Sequence, residues 1–173
     1  MSDFDSADTE PTVESTIVSA HDAHVTEEIE HPTFSAEAPV TVFRVMNVEA
    51  VTFDLADSSP VVHLIEAEAP FRYMAVPLAL PDALAMHQAL SGLEGRRPGT
   101  HELMTAVLAR VQIDVIAARI VRYEQGVFYA ELDLMTPRGR ELFDCRTSDA
   151  LTIALRQSVP SPILCADEVL AAL

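Results

Sequence analysis

Residues 127–146 constrain the fold more than any other stretch of this chain. Phe128, Ala130, Leu132 and Leu134 alternate with Val127, Tyr129, Glu131 and Asp133, and Thr136-Pro137-Arg138-Gly139 then leads into Arg140–Arg146. Strand side chains alternate between faces, so the first set is predicted to face a core and the second to face outward. Phe143 and Cys145 should join the core set, with Asp144 and Arg146 outside. A tight turn centred on Pro137-Arg138 fixes the register: Leu132 opposite Phe143, Glu131 opposite Asp144, Tyr129 opposite Arg146.

Other elements fit around this hairpin. Val42, Phe43, Val45 and Val48 open a β-rich region near Val40, with strands at 61–66 and 73–78 and a turn at Asp57-Ser58-Ser59-Pro60. Pro81-Asp82 opens a helix carrying Ala83, Met86, Leu90 and Leu93 at helical spacing, ending at Gly92 or Gly95. A second helix follows Thr100, and its stripe of Leu103, Met104, Val107, Leu108 and Val111 is predicted to pack inward, leaving His101, Thr105 and Gln112 on the other face. A strand at 115–123, a helix at 148–157, a short strand at 162–165 and a closing helix at 166–173 complete the reading. Paired strands around grouped helices predict an α+β fold, a compact mixed or antiparallel sheet with packed helices.

The 173 residues, 49% hydrophobic, suffice for one domain, placed at 40–173. Residues 1–40 hold ten of the 27 acidic residues and no Lys or Arg, so 17 acidic residues face 11 basic ones in the rest, a balance of −6. Residues 1–38 are predicted to be a disordered acidic tail, with His21, His24 and His31 read as solvated rather than metal-binding. An acidic domain offers no general attraction for nucleic acid, which is therefore not supported as a partner by net charge. Cys145 and Cys165 form no CxxC and fit reduced thiols. The expectation is a cytoplasmic protein without a membrane partner, since no apolar h-region and no membrane-length apolar run occurs. The chain has no GxGxxG or Walker-type loop, so no nucleotide cofactor is expected.

Two strings carry the chemistry: Arg97-Pro98-Gly99-Thr100-His101-Glu102 and Asp144-Cys145-Arg146-Thr147-Ser148-Asp149-Ala150. Each precedes a helix, and a helix start favours anions. Thr100 is read as one N-cap, and Thr147 or Ser148 as the other. His101 is read either as a general base or as a residue fixing the adjacent turn. Glu131 and Asp144, directly opposed, demand compensation: a Mg²⁺ or Mn²⁺ ion, or Arg146, Arg119 or Arg122 on a solvated face. Asp149, Thr152 and Arg156 are predicted to form a polar stripe opposite Leu151 and Leu155. His63 and His87 read as structural.

At these strings, and at Gly126-Val127-Phe128-Tyr129-Ala130-Glu131-Leu132, the chain resembles the bifunctional nuclease family over roughly residues 42–173. Thr147 stands where the family usually has Pro, Gly99 where it has a longer residue, and Ala79-Leu80-Pro81-Asp82 where a Gly-Pro step is common. The resemblance implies cleavage of RNA or DNA. The expected assignment has His101, Glu102 and Asp149 catalytic, Arg97, Thr100, Arg146 and Ser148 binding substrate, and Glu131 and Asp144 holding Mg²⁺ or Mn²⁺. Two other readings stay open: a non-catalytic module binding a protein partner or small anionic ligand, within a homo-oligomer, or an architectural role for both strings.

Overall fold

The computed structural model describes residues 41–54 and 59–173. The acidic tail, its histidines, and Asp57 and Ser58 of the first turn lie outside the described residues.

Alternation builds the first strands. Val62, Leu64 and Glu66 are buried along β2 (Ser59–Glu66), and Met74 and Val76 along β3 (Tyr73–Pro77), while intervening residues are partly or fully exposed. With β1 (Phe43–Asp54) they form an antiparallel meander. Helices α1 (Leu80–Leu90) and α2 (Thr100–Arg110) follow, then β4 (Asp114–Glu124), β5 (Val127–Thr136) and β6 (Gly139–Arg146). Helix α3 (Thr147–Leu155), strand β7 (Ile163–Ala166) and α4 (Asp167–Ala171) end the chain. One seven-stranded sheet results, ordered β3-β2-β1-β7-β4-β5-β6 and antiparallel except at β7–β4. It is mixed, and the fold is α+β as expected.

The β5–β6 register is as predicted: Leu132 opposes Phe143, Glu131 opposes Asp144 and Tyr129 opposes Arg146. The facing is not uniformly so. Phe143 is 46% exposed, because β6 is an edge strand with nothing over that position. Asp133 is fully buried rather than outward, gripped by Arg140, whose Nε donates to Oδ1 at 2.8 Å and whose Nη2 donates to Oδ2. A buried carboxylate persists only when so paired.

Helix α3 is the central pillar. Thr147, Ser148, Ala150, Leu151, Thr152, Ile153 and Ala154 are all buried, and Ala150 and Ala154 add little bulk against the sheet. Thr152 is therefore no part of an exposed polar stripe; its hydroxyl donates to the Ser148 carbonyl at 2.7 Å.

Helix α2 lies opposite to the expectation. Leu108 is its only buried apolar side chain among those of the predicted stripe, whereas Leu103, Met104, Val107 and Val111 are 42–56% exposed. The polar face turns inward instead, because His101 and Glu102 meet Asp149 and Arg156 of the α3 segment. In α1, Ala83 and Met86 pack inward as predicted, while Leu90 and Leu93 remain exposed. The chain leaves α1 at Ser91, with Gly92 at φ +62°, the left-handed turn that glycine favours.

Among the described residues no helix is long and apolar enough to cross a membrane.

Candidate functional site

Strand β6 passes into α3 without a loop, so Arg146 is at once the last strand residue and the helix N-cap. Its side chain is 64% exposed, and its guanidinium meets two carboxylates. Nε and Nη2 donate to Asp149 Oδ2 and Oδ1 at 2.8 and 2.9 Å. Nη1 and Nη2 reach Asp82 Oδ2 and Oδ1 at 3.1 and 3.4 Å. Asp82 sits in the first turn of α1 and also accepts the Ser148 hydroxyl at 3.3 Å.

His101 joins from α2, its Nε2 lying 2.9 Å from Asp149 Oδ1. In the neutral imidazole, Nε2–H donating to the carboxylate leaves the lone pair on Nδ1. Burial pushes the Asp149 carboxyl upward, but the hydrogen bonds from Arg146 and His101 outweigh it and hold the group below the ordinary aspartate range. The same contact with Asp149 raises the Arg146 guanidinium.

Beside this cluster a second pair locks the first string. Glu102 accepts from the backbone N–H groups of Gly99 at 2.6 Å and Gly95 at 3.4 Å, and from Arg156 Nη1 at 2.9 Å. The Gly99 amide is the largest cause of its lowered carboxyl. Arg156 is nine-tenths buried, and its Nε is without a hydrogen bond.

Arg146 opens onto a cleft of about 600 Å³ lined by Val76, Pro77, Asp82, Val127, Phe128, Tyr129, Asp144, Arg146 and Ser148, among others. The lining comes from β3 and from β5 and β6, at opposite edges of the sheet, so the sheet curls to bring them to one place. The walls are largely apolar. Arg122 lies over the Tyr129 ring at 4.1 Å.

The expected site residues are only partly brought together. His101, Asp149, Arg146 and Ser148 form one cluster. Glu102 belongs to the neighbouring pair and Asp144 lines the cleft. Thr100 and Arg97 are exposed, and Arg97 has no ion pair among the described residues. Gly99, not Thr100, is the N-cap of α2, with Glu102 supplying the capping hydrogen bond. Neither Thr147 nor Ser148 caps α3: Thr147 donates to the Phe128 carbonyl at 2.9 Å, and Ser148 to Asp82. Asp82 and Arg156 were not among the predicted site residues. Each stands more than fifty residues from its partner, and the only local signal was their place on helices flanking the strings.

Glu131 and Asp144 do face each other, but Glu131 is turned to Arg119 Nη1, 3.7 Å away. Among the described residues no three His, Cys, Asp or Glu side chains converge as metal ligands. With Glu131 already beside an arginine, Glu131 and Asp144 would hold Mg²⁺ or Mn²⁺ only with water or substrate phosphate supplying most of its oxygen ligands. His63 bonds Thr52 Oγ1 at 2.6 Å and contacts the Tyr73 hydroxyl, a structural role.

A curled α+β sheet carries, beside a largely apolar cleft, an arginine held between two carboxylates. Residues 62–173 match the bifunctional nuclease domain, and the chain belongs to that family. It is also 32% identical over 115 residues to two proteins of Mycobacterium tuberculosis, Uncharacterized protein MT1877 of strain CDC 1551 / Oshkosh and Uncharacterized protein Rv1829 of strain H37Rv. The match covers 66% of this chain and 68% of each relative.

Proposed function

We propose that the protein hydrolyses phosphodiester bonds of RNA or DNA, with the scissile phosphate seated against Arg146 in the cleft. The observation that carries this reading is Arg146: its side chain is two-thirds exposed, its guanidinium is fixed by Asp149 and Asp82, and one Nη1–H is left to donate to a ligand. In this reading Arg146 neutralises the charge that builds on phosphorus-bound oxygens as water attacks. Asp82, on the cleft wall, takes the proton from that water, the P–O bond to one sugar oxygen breaks, and the departing oxygen is protonated by solvent. Asp149 and His101 act behind Arg146 as positioning residues, since His101 reaches the cleft only through Asp149. Arg97, Thr100, Glu131 and Asp144 take no assigned step, and no step runs through a metal ion.

The test is cleavage of single-stranded RNA and DNA by the purified chain, in Mg²⁺, in Mn²⁺ and in EDTA. Wild type is expected to cut, and Arg146→Ala to lose about 100-fold or more in rate. A wild-type protein inert on both substrates in all three buffers ends the reading.

A second reading has its own support. The apolar stripe of α2 points outward, as it would in a non-catalytic module whose helix docks a protein partner.

A further inference from the structure

We infer that the outer edge of β6 pairs with β6 of a second copy of this chain, antiparallel and centred on Leu142. The inference does not depend on catalysis. Strand β6 is one edge of the sheet, eight residues long, with Leu142 and Phe143 half-exposed on its two faces. Long edge strands bearing apolar side chains invite another strand. The opposite edge, β3, has only five residues and ends in Pro77, which lacks an N–H to offer.

The register follows from the hairpin. Pro137-Arg138 form a two-residue turn, so Thr136 and Gly139 exchange hydrogen bonds, and every second residue after Gly139 bonds to β5. Arg140, Leu142 and Asp144 therefore direct their backbone groups away from the sheet. An antiparallel partner must oppose these residues to one another. Centring on Leu142 does so, placing Leu142 against its own copy and each Arg140 against the Asp144 of the other chain. Moving the centre to Phe143 would set Arg140 against Arg146, and a centre between residues would oppose outward-directed groups to inward-directed ones. In the chosen register Arg138 falls opposite Arg146 at the ends, each already neutralised by its own carboxylates.

The side chains fit this pairing. Asp144 is exposed and has no ion pair or side-chain hydrogen bond among the described residues. Arg140 is 60% exposed, and its contacts to Asp133 use Nε and Nη2, leaving Nη1 for a second carboxylate. Opposite charges directly across a ladder are stabilising. Beside Leu142 a hollow of about 530 Å³, lined by Phe43, Arg119, Arg140, Leu142 and Leu164, borders the edge.

The test uses the full chain in sedimentation equilibrium and mild oxidation. Wild type is expected to sediment as a dimer. Asp144→Arg, which faces Arg140 with a like charge, is expected to shift it to monomer with an unchanged circular dichroism spectrum. Leu142→Cys is expected to give a disulfide-linked dimer well beyond the wild-type background, since directly opposed residues bring their Cα atoms to about 5.5 Å. A monomer at millimolar protein, a dimer indifferent to Asp144→Arg, or cross-linking through Val107→Cys on α2 instead of Leu142→Cys would each overturn the inference.

Discussion

Nε2 of His101 lies 2.9 Å from Oδ1 of Asp149, tying the start of α2 to the start of α3 across 48 residues of sequence. The contact explains why α2 turns its polar face inward. Together with Glu102–Arg156 it supplies charge-assisted hydrogen bonds where a helix ordinarily supplies apolar contact. It also places Asp149 where Arg146 can hold it with two nitrogens.

Removing that carboxylate should show first in acid. The Asp149 carboxyl lies below its ordinary value in the folded chain, so its contribution to stability is complete above about pH 4, its unfolded range, and is lost as pH falls through the folded value. Melting curves of Asp149→Asn are expected to show lower stability than wild type at pH 7 and a gap that narrows toward pH 3. A gap of constant size would mean that the carboxylate is not stabilised by Arg146 and His101.

The inverted orientation of α2 has its own test. Val107→Lys falls on the outward stripe and is expected to alter stability by less than about 0.5 kcal/mol, whereas Leu108→Ala should cost about 2–5 kcal/mol. Equal losses in urea denaturation would place the stripe inside.

Leu151 is fully buried at the middle of α3, within the hydrophobic core. Leu151→Ala is expected to cost about 2–5 kcal/mol, as a cavity in the central helix should. Chemical denaturation measures it directly, and a loss under about 1 kcal/mol would show that α3 is not the pillar described.

Both thiols should be inert. Burial pushes Cys145 up to about 11 and Cys165 up to about 12, so neither is a thiolate at neutral pH. In native protein the buried Cys165 is expected to react with a disulfide reagent at pH 8 only as fast as the fold opens, and the part-exposed Cys145 only slowly for want of thiolate, with urea releasing both. Rapid labelling of one thiol in native protein would show an accessible, activated cysteine.

The hairpin was legible because its information is local: alternation sets the faces and a two-residue turn sets the register, so Glu131, Asp144, Tyr129 and Arg146 paired as read. Burial at the sheet edge was not legible. Phe143 and Leu132 share a register position, yet only Leu132 has elements packed over it. Helix α2 misled for a related reason. Its apolar stripe is real, but two long-range ion pairs decide its orientation, and neither His101–Asp149 nor Glu102–Arg156 leaves a trace at any fixed spacing. Asp82 was visible only as a helix opener. Its meeting with Arg146 depends on the curl that brings β3 toward β6, a property of the whole sheet.

Arg146 bears the central claim, that the cluster at the lip of the cleft is where a phosphodiester is bound and cut. The most direct measurement is the single-turnover rate of single-stranded RNA cleavage by wild type, Arg146→Ala and Arg146→Lys, each checked by melting temperature. The expected result is a loss of about 10²–10³ for Arg146→Ala, with partial recovery in Arg146→Lys, which keeps the charge but not the two-pronged grip. Cleavage by a folded Arg146→Ala variant at the wild-type rate would contradict the account.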